Sequence, residues 1–456
     1  MNTFNRNNLK AGIIHFGVGN FHRAHLEFYT DHLVRQGGSE EWGVCGAMIL
    51  PQDERLYNAL KSQNGRYTLT SFAPDGTVET GYIDSLVNVY WGIKEKEEII
   101  SKIASEDIRI ITLTITEGGY DIETENVHHD ITDPSDPRTA FGYVAEGLRR
   151  RMAAGLPVTI LSCDNLQHNG KVAQNAFMTF FERQDPQLAE WAKTNVTFPS
   201  CMVDRITPAT RAEDIERLNK LNGTHDNAPV YCEDFIQWVV EDNFIAGRPA
   251  WEKVGVQFTT DVSPYENIKL SLLNASHTLL SYPSYLLGHM KVDAAMRDSR
   301  VSDLVRTFMD TDITPLVDVP SDVDIEDYKA CLVSRFANPA ISDQVSRLCG
   351  DGLSKFVVYV VPNMKRMLDE GRDVTRLAFL ISSYRKYLRG SICDGLYEIF
   401  EPCMTDYDRT LICSESPLDF LELTPFKNLG LNRYDSFVSQ YLKFSGMTTE
   451  EAFENL

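Results

Sequence analysis

The stretch Ala11-Gly-Ile-Ile-His-Phe-Gly-Val-Gly-Asn-Phe-His-Arg23 decides the fold. Residues 11–16 form an apolar run of strand length that ends in Gly17-Val-Gly19, and a helical pattern follows to Gln36. A second apolar run, residues 42–50, comes after the pair Gly37-Gly38. Strand, glycine turn, helix and strand is the opening of a dinucleotide-binding βαβ unit. Its first two glycines permit a tight turn and the close approach of a pyrophosphate to the helix N-terminus. His22 stands where the fingerprint has its third glycine. The motif is therefore incomplete and takes its weight from its place between strand and helix.

Working outward, Asp53 follows the second run, further from Gly19 than the ~20 residues usual for the acidic residue of this unit. The long helix and the 37–41 loop account for the excess. A carboxylate there would accept hydrogen bonds from the adenosine ribose and repel a 2′-phosphate, favouring NAD over NADP; a solvated loop aspartate would read the same. Residues 66–73 and 77–83 alternate around Pro74-Asp-Gly76, which predicts a hairpin and an antiparallel insertion. Helical patterns at 93–104 and 139–154 alternate with strand patterns at 108–115 and 157–161. The two strands end in Thr116-Glu117 and in Asp164-Asn165. In an open α/β sheet that carboxyl edge is where ligands bind.

From about residue 267 the texture becomes helical, with patterns at 268–286, 301–309, 324–335, 341–349, 355–370, 375–389 and 418–430. The expected design is α/β: a Rossmann-type domain over residues 1–266 with an antiparallel insertion, then a mainly helical substrate domain over 267–456. At the joint lies Pro264-Tyr-Glu-Asn-Ile-Lys-Leu-Ser-Leu-Leu-Asn-Ala-Ser-His277. At about 100° per residue, Lys269, Asn274 and His277 fall near 0°, 140° and 80° on a helical wheel, one flank shared with Leu270 and Leu273. A lysine looking into partly apolar space is suited to act as a base near neutral pH. An ordinary amphipathic helix at a domain seam would look the same from this stretch alone.

The totals exclude several classes. A chain of 456 residues is too long for one compact core, and its 43% hydrophobic and 24% charged residues are ordinary for a globular protein. A net charge of −21 without a basic block argues against nucleic acid or an anionic membrane as partner. The nine cysteines are scattered, resembling neither a zinc set nor a disulfide framework. No apolar run is long enough to span a bilayer, and the start lacks the apolar core of a signal peptide, so a cytoplasmic location is expected. Tyr-x-x-x-Lys, a pair used by short-chain dehydrogenases, occurs at Tyr57/Lys61, Tyr90/Lys94 and Tyr265/Lys269, too often to carry meaning alone. His128-His129 lacks partners at metal-ligand spacing and reads as a surface loop.

These pieces, taken together, resemble the mannitol dehydrogenase family of long-chain polyol dehydrogenases and reductases. Gly12-Ile-Ile-His-Phe-Gly-Val-Gly-Asn-Phe-His-Arg-Ala-His25 is similar to its amino-terminal signature. Ile115-Thr-Glu-Gly-Gly-Tyr120, Ser162-Cys-Asp-Asn-Leu-Gln-His-Asn-Gly170, Phe198-Pro-Ser-Cys-Met-Val-Asp-Arg-Ile-Thr-Pro208 and Trp251-Glu-Lys-Val-Gly-Val-Gln-Phe258 resemble later blocks. Residues 269–277 look like its Lys-x4-Asn-x2-His motif. The likeness runs to about residue 390.

The resemblance implies a metal-free, NAD-dependent oxidoreductase interconverting a polyol and the matching ketose, with D-mannitol and D-fructose as the expected pair and NADP a lesser expectation. It places Lys269 on the general base, Asn165 and Asn274 on the amides that hold the substrate oxygen, and His277 on the imidazole that orients it. Asp204 matches a supporting aspartate, Arg347 and Lys355 match groups that grip other hydroxyls, and Glu266 matches a proton-passing glutamate. Gly17, Gly19, Phe21, Asp53, Thr116 and Glu117 are assigned to the cofactor. As hydride leaves for the nicotinamide, the oxygen gains charge, and two preorganised amides would stabilise it by ~3–4 kcal/mol each. Lys269 must be neutral to take the proton, which requires a pKa below the free ~10.4. Sister activities on D-arabinitol, D-sorbitol, L-sorbose or fructuronate remain open, as do a non-catalytic NAD(H) sensor and a zinc enzyme. Monomers are common in the mannitol branch, so a monomer is expected.

Overall fold

The computed structural model describes residues 5–456. The chain divides after Ser263 into two compact units, the second being Pro264–Leu456. Among the described residues the first holds twelve strands: β1 (Ala11–Phe16), β2 (Gly43–Met48), β3 (Tyr67–Phe72), β4 (Val78–Ile83), β5 (Leu86–Trp91), β6 (Ile110–Leu113), β7 (Val158–Ser162), β8 (Val196–Thr197), β9 (Cys201–Asp204), β10 (Val230–Glu233), β11 (Gln237–Glu241) and β12 (Gln257–Thr259).

Six of them form one parallel sheet in the order β5-β2-β1-β6-β7-β8. The order reverses between β1 and β6, the switch point of a doubly wound sheet. Side-chain alternation explains why these apolar runs became central strands. Ile14, Phe16, Ile111, Leu113 and Ile160 enter a core with the helices Lys96–Ala104, Ala140–Ala154 and Asn169–Gln184. Ile13, Val44, Ile110 and Leu161 point the other way, into a core with the helix Leu26–Arg35 and Trp238 and Trp251. Strands apolar on both faces demand cover on both. Each fully buried Ile or Leu is worth roughly 1.5–3 kcal/mol.

β3 and β4 pair antiparallel across Pro74-Asp75-Gly76, as the alternation predicts, and β10 joins β3 in parallel. A third sheet, β12-β11-β9, carries Asp204 at the end of β9. The sequence reading did not foresee β8–β12, whose short strands have little periodicity to show.

The second unit is helical around a buried core. Its central helix, Ala275–Leu286, packs on Val345–Cys349 and on Thr375–Ile392. Two expectations are corrected here. The 341–349 pattern is helical only over Val345–Cys349, because Ser342 adopts φ 53° and Gln344 bridges to Lys291, which breaks the earlier turn. The 418–430 pattern is a 3-10 segment, Pro417–Glu422, followed by turns; Pro417 opens it and Pro425 lacks the N–H a continuing helix needs. Among the described residues one disulfide joins Cys393 and Cys413, which close the two helices Thr375–Ile392 and Asp406–Cys413, and seven cysteines are free. Among the described residues no helix is long and apolar enough to cross a membrane.

Candidate active site

In the first unit a cleft of about 620 Å³ opens at the switch point, lined by Gly17, Gly19, Asp53, Thr114, Thr116 and Thr139 among others. The loop after β1 is built for close approach. Gly17 has φ 94°, and a Cβ there would stand 2.0 Å from the Thr114 carbonyl oxygen. At Gly19 a Cβ would meet only the Gly17 oxygen, at 3.7 Å, so the space above the loop is open. Gly19 also caps the following helix, Asn20–Ala24, without any side-chain hydrogen bond. Bare backbone beside a helix N-terminus fits a pyrophosphate, and the residues present therefore fit a dinucleotide.

His22, in place of the fingerprint's third glycine, has a packing explanation. Its imidazole stacks flat on His15 of β1, ring centres 3.5 Å apart and planes 5° from parallel, so helix and strand still pack closely. Both rings are fully buried, and burial pushes their pKa values down, His15 to about 3, which leaves them neutral. His15 Nε2 donates to the Gly17 carbonyl at 3.1 Å, so its Nδ1 accepts from the Thr112 hydroxyl at 2.8 Å. Thr114 Oγ1 also donates to the Gly17 carbonyl, at 2.7 Å. The glycine turn is thus pinned from beneath.

Asp53 sits in a 3-10 turn, Pro51–Asp53, after β2; its Oδ2 accepts from the Leu50 amide at 2.9 Å and it lines the cleft. Thr116 lies at the end of β6 with φ 65°. Glu117 is exposed on the short turn that follows, and Phe21 lies against His25 with ring centres 4.9 Å apart. Neither borders the 620 Å³ cleft. Asn165 is exposed just beyond β7, and Asp204 is buried at the end of β9.

Asp164, between β7 and Asn165, organises this edge although the sequence reading assigned it no role. It accepts from the amides of Ile115 (3.1 Å) and Thr116 (2.8 Å) and from the Tyr120 hydroxyl (2.7 Å). Asn169 in turn donates to the Asp164 carbonyl at 3.1 Å and to that of Cys201 at 2.7 Å. Burial lifts the Asp164 carboxyl to about 6 against those donors. An acidic residue at a strand's carboxyl end was the available signal.

In the second unit, Lys269, Asn274 and His277 lie on one continuous helical path, but it is not a plain α-helix. Residues Ser263–Ile268 are α-helical, Lys269–Asn274 form a π-helical turn, and Ala275–Leu286 resume the α form. The Ala275 amide donates to the Leu270 carbonyl, five residues back. That wider turn draws residues five apart toward one line. Lys269 and Asn274, at opposite ends of it, therefore come nearer to one flank than the 140° of an α wheel; the wheel reading is corrected. Lys269 is 5% exposed, Glu266 3% and His277 8%. The Asn274 side-chain oxygen is buried and finds no hydrogen-bond partner among the described residues. His277 lies on Phe336, ring centres 4.2 Å apart. Arg347 pairs with Asp343, and Lys355 Nζ donates to the carbonyls of Arg347 and Leu348.

The other patterns have structural explanations. Tyr265 donates its hydroxyl to exposed Asp322 at 2.8 Å, and burial together with Asp322 pushes its phenol up to about 12. Lys61 packs over Tyr57 and Tyr90 and bonds Glu95. His128 and His129 lie on the helix Glu125–Thr132 and not in the surface loop expected from the sequence, with His128 exposed beside Glu123. Among the described residues no three His, Cys, Asp or Glu side chains gather to hold a metal ion.

Comparison with known proteins covers both units. Residues 11–253 match the mannitol dehydrogenase Rossmann domain and residues 261–443 the mannitol dehydrogenase C-terminal domain. A polyol:NADP oxidoreductase of Gluconobacter oxydans (strain 621H) is 38% identical over 92% of this chain and 88% of its own. The structure of Pseudomonas fluorescens mannitol 2-dehydrogenase in ternary complex with NAD and D-mannitol is 37% identical, with TM-score 0.92 over 99% of this chain and 95% of that one. A D-sorbitol dehydrogenase in substrate-free form is 36% identical, with TM-score 0.88 over 99% and 96%.

Proposed function

The chain belongs to the mannitol dehydrogenase family, oxidoreductases acting on the CH–OH group of polyols, and from that premise we propose that it interconverts D-mannitol and D-fructose with NAD. The observation that carries the reading is the π turn, which has a buried amine at one end and, at the other, an amide whose oxygen is buried. When bound, the nicotinamide supplies the hydride acceptor. Lys269 takes the hydroxyl proton; a buried amine without a water shell favours its neutral, basic form. Asn274 donates its N–H group to the oxygen as it gains charge. His277, held against Phe336, orients that oxygen. Glu266, buried one turn before Lys269, passes the proton toward solvent.

Gly17, Gly19 and Thr116 hold the cofactor, and Asp53 selects NAD by facing the ribose with negative charge. The Gluconobacter relative's name keeps NADP as the competing reading, and the sorbitol enzyme's keeps sorbitol. Steady-state rates with fructose, sorbose and fructuronate, and with mannitol, sorbitol and arabinitol, each with both cofactors, test all of these together. Fructose reduction by NADH should give the highest kcat/KM. Inert fructose beside active fructuronate would overturn the assignment.

A further inference from the structure

Between the helices Thr375–Ile392 and Asp406–Cys413 the chain runs only through turns and bends, and the Cys393–Cys413 disulfide closes this strap at its ends. The two Cα atoms lie 5.8 Å apart across 20 residues of sequence. Both cysteines are exposed, and so are Leu396, Phe400 and Cys403 between them. A segment that leaves its apolar side chains in water gains little from burial. Tyr397 anchors its first half, donating its hydroxyl to the Tyr387 carbonyl at 2.8 Å and stacking on the Tyr387 ring.

The second half of the strap supports a turn far away in sequence. Asp351 adopts φ 54° and ψ 43°, the left-handed region natural to glycine, and opens the short helix Gly352–Lys355. The first amides of a helix have no partner within it. Here the Asp351 amide donates to the Phe400 carbonyl at 2.6 Å. The amides of Gly352 and Leu353 donate to the two carboxylate oxygens of Glu401, at 2.9 and 3.1 Å. The Tyr384 hydroxyl donates to the same carboxylate at 3.0 Å and steadies it. A Cβ on Gly352 would stand 2.8 Å from Glu401 Oε1, so the approach is close. Three consecutive amides thus end on two consecutive residues of the strap.

A cross-link between residues 20 apart restricts the conformations open to the chain between them. Without it the Glu401 cap must hold against the freedom of a long, largely exposed segment.

We propose that Cys393–Cys413 is a redox-sensitive clamp: oxidised, it holds the strap so that Phe400 and Glu401 cap the turn Asp351–Leu353, and reduced by a dithiol, it releases the strap and uncaps that turn. The exposure of both cysteines gives the dithiol access. One thiolate of the dithiol attacks a disulfide sulfur, the S–S bond breaks, and the other cysteine leaves as a thiolate that takes up a proton. The dithiol's second thiolate then displaces the remaining cysteine from the mixed disulfide. The protein gains two electrons and two protons as two thiols, and the dithiol becomes a disulfide. The clamp works whatever polyol the chain takes.

The test uses the whole chain, oxidised or treated with dithiothreitol, with alkylation and mass measurement to count the thiols. Hydrogen–deuterium exchange then reads the amides. Reduction should speed exchange at residues 351–353 and through 394–405 by about tenfold or more, while β1 keeps its protection. Reoxidation should restore the slow exchange. Cys393→Ser/Cys413→Ser should behave as the reduced wild type in either condition, and Cys403→Ser should keep the full response. Glu401→Ala, with the disulfide intact, should free the Gly352 and Leu353 amides. Two added thiols with unchanged exchange at 351–353 overturn the proposal. So does a response that persists in the double serine variant, or one that spreads evenly through the second unit as unfolding would. All nine cysteines alkylating after treatment with oxidised glutathione also overturns it. Should the double variant not fold, the reduction and reoxidation of wild type decide.

Discussion

Asp164 holds Thr116 by its backbone: the carboxylate oxygen beyond β7 accepts the Thr116 amide at 2.8 Å, and Thr116 keeps φ 65° and ψ 169°. That conformation is natural to glycine and costs a threonine of order 1–3 kcal/mol. The Asp164 hydrogen bonds from two amides and the Tyr120 hydroxyl offset that cost. The strain stands at the wall of the dinucleotide cleft.

Asp164→Ala should therefore weaken NADH binding at least tenfold and destabilise the protein by roughly 1.5–3 kcal/mol, the range for hydrogen bonds to a charged group. Isothermal titration and urea unfolding would measure the two effects. Unaltered NADH affinity would separate Asp164 from the cofactor.

Lys269→Ala should cut turnover at neutral pH by about 10²–10⁴, the usual contribution of a positioned base, while NADH still binds. Stopped-flow hydride transfer and fluorescence titration distinguish chemistry from binding. Loss in Tyr265→Phe with a normal Lys269→Ala enzyme would move the role to the tyrosine, although its hydroxyl is engaged with Asp322.

Asp53→Ala should raise kcat/KM with NADPH and lower it with NADH, because one repulsive carboxylate leaves the cleft. The same substitution removes the Leu50 amide's acceptor, so a small loss of stability, about 1 kcal/mol, should accompany it. Unchanged cofactor preference would place the ribose elsewhere.

Glu27 supplies the pH dependence. It is fully buried, takes a hydrogen bond from Ser85, lies 3.4 Å from His22, and burial pushes its carboxyl up to about 8. The unfolded chain releases this proton near pH 4.5. Between those values the folded state holds one proton more, so stability falls with rising pH. The contribution is complete below about pH 4.5 and is lost as pH rises through about 8. From pH 7 to 9 the wild type should lose roughly 1–2 kcal/mol relative to Glu27→Gln, which has no proton to release. Parallel urea-unfolding curves across that range would show Glu27 already ionised at pH 7.

Much of the first unit was legible because its signals are local. A buried parallel strand needs a run of apolar and β-branched residues, and Ile110–Leu113 carries one. A hairpin needs turn residues between alternating strands, and Pro74-Asp75-Gly76 provides them. The 341–349 and 418–430 patterns misled for a related reason. Apolar spacing records which residues are buried, whereas Ser342 at φ 53° and the turns after Glu422 record how the backbone got them there.

The amino acid order by itself determined the parallel fold of the first unit, the glycine turn at its cleft and the family to which the chain belongs. Those features depend on residue types at short, fixed spacings. Tertiary structure alone decided the rest: the flat His15–His22 stack that replaces a glycine, the π turn that redirects Lys269 and Asn274, and the Asp343 carboxylate beneath Arg347. Each depends on a hydrogen-bond register or on a contact between distinct elements, and no helical or strand period in the sequence encodes either.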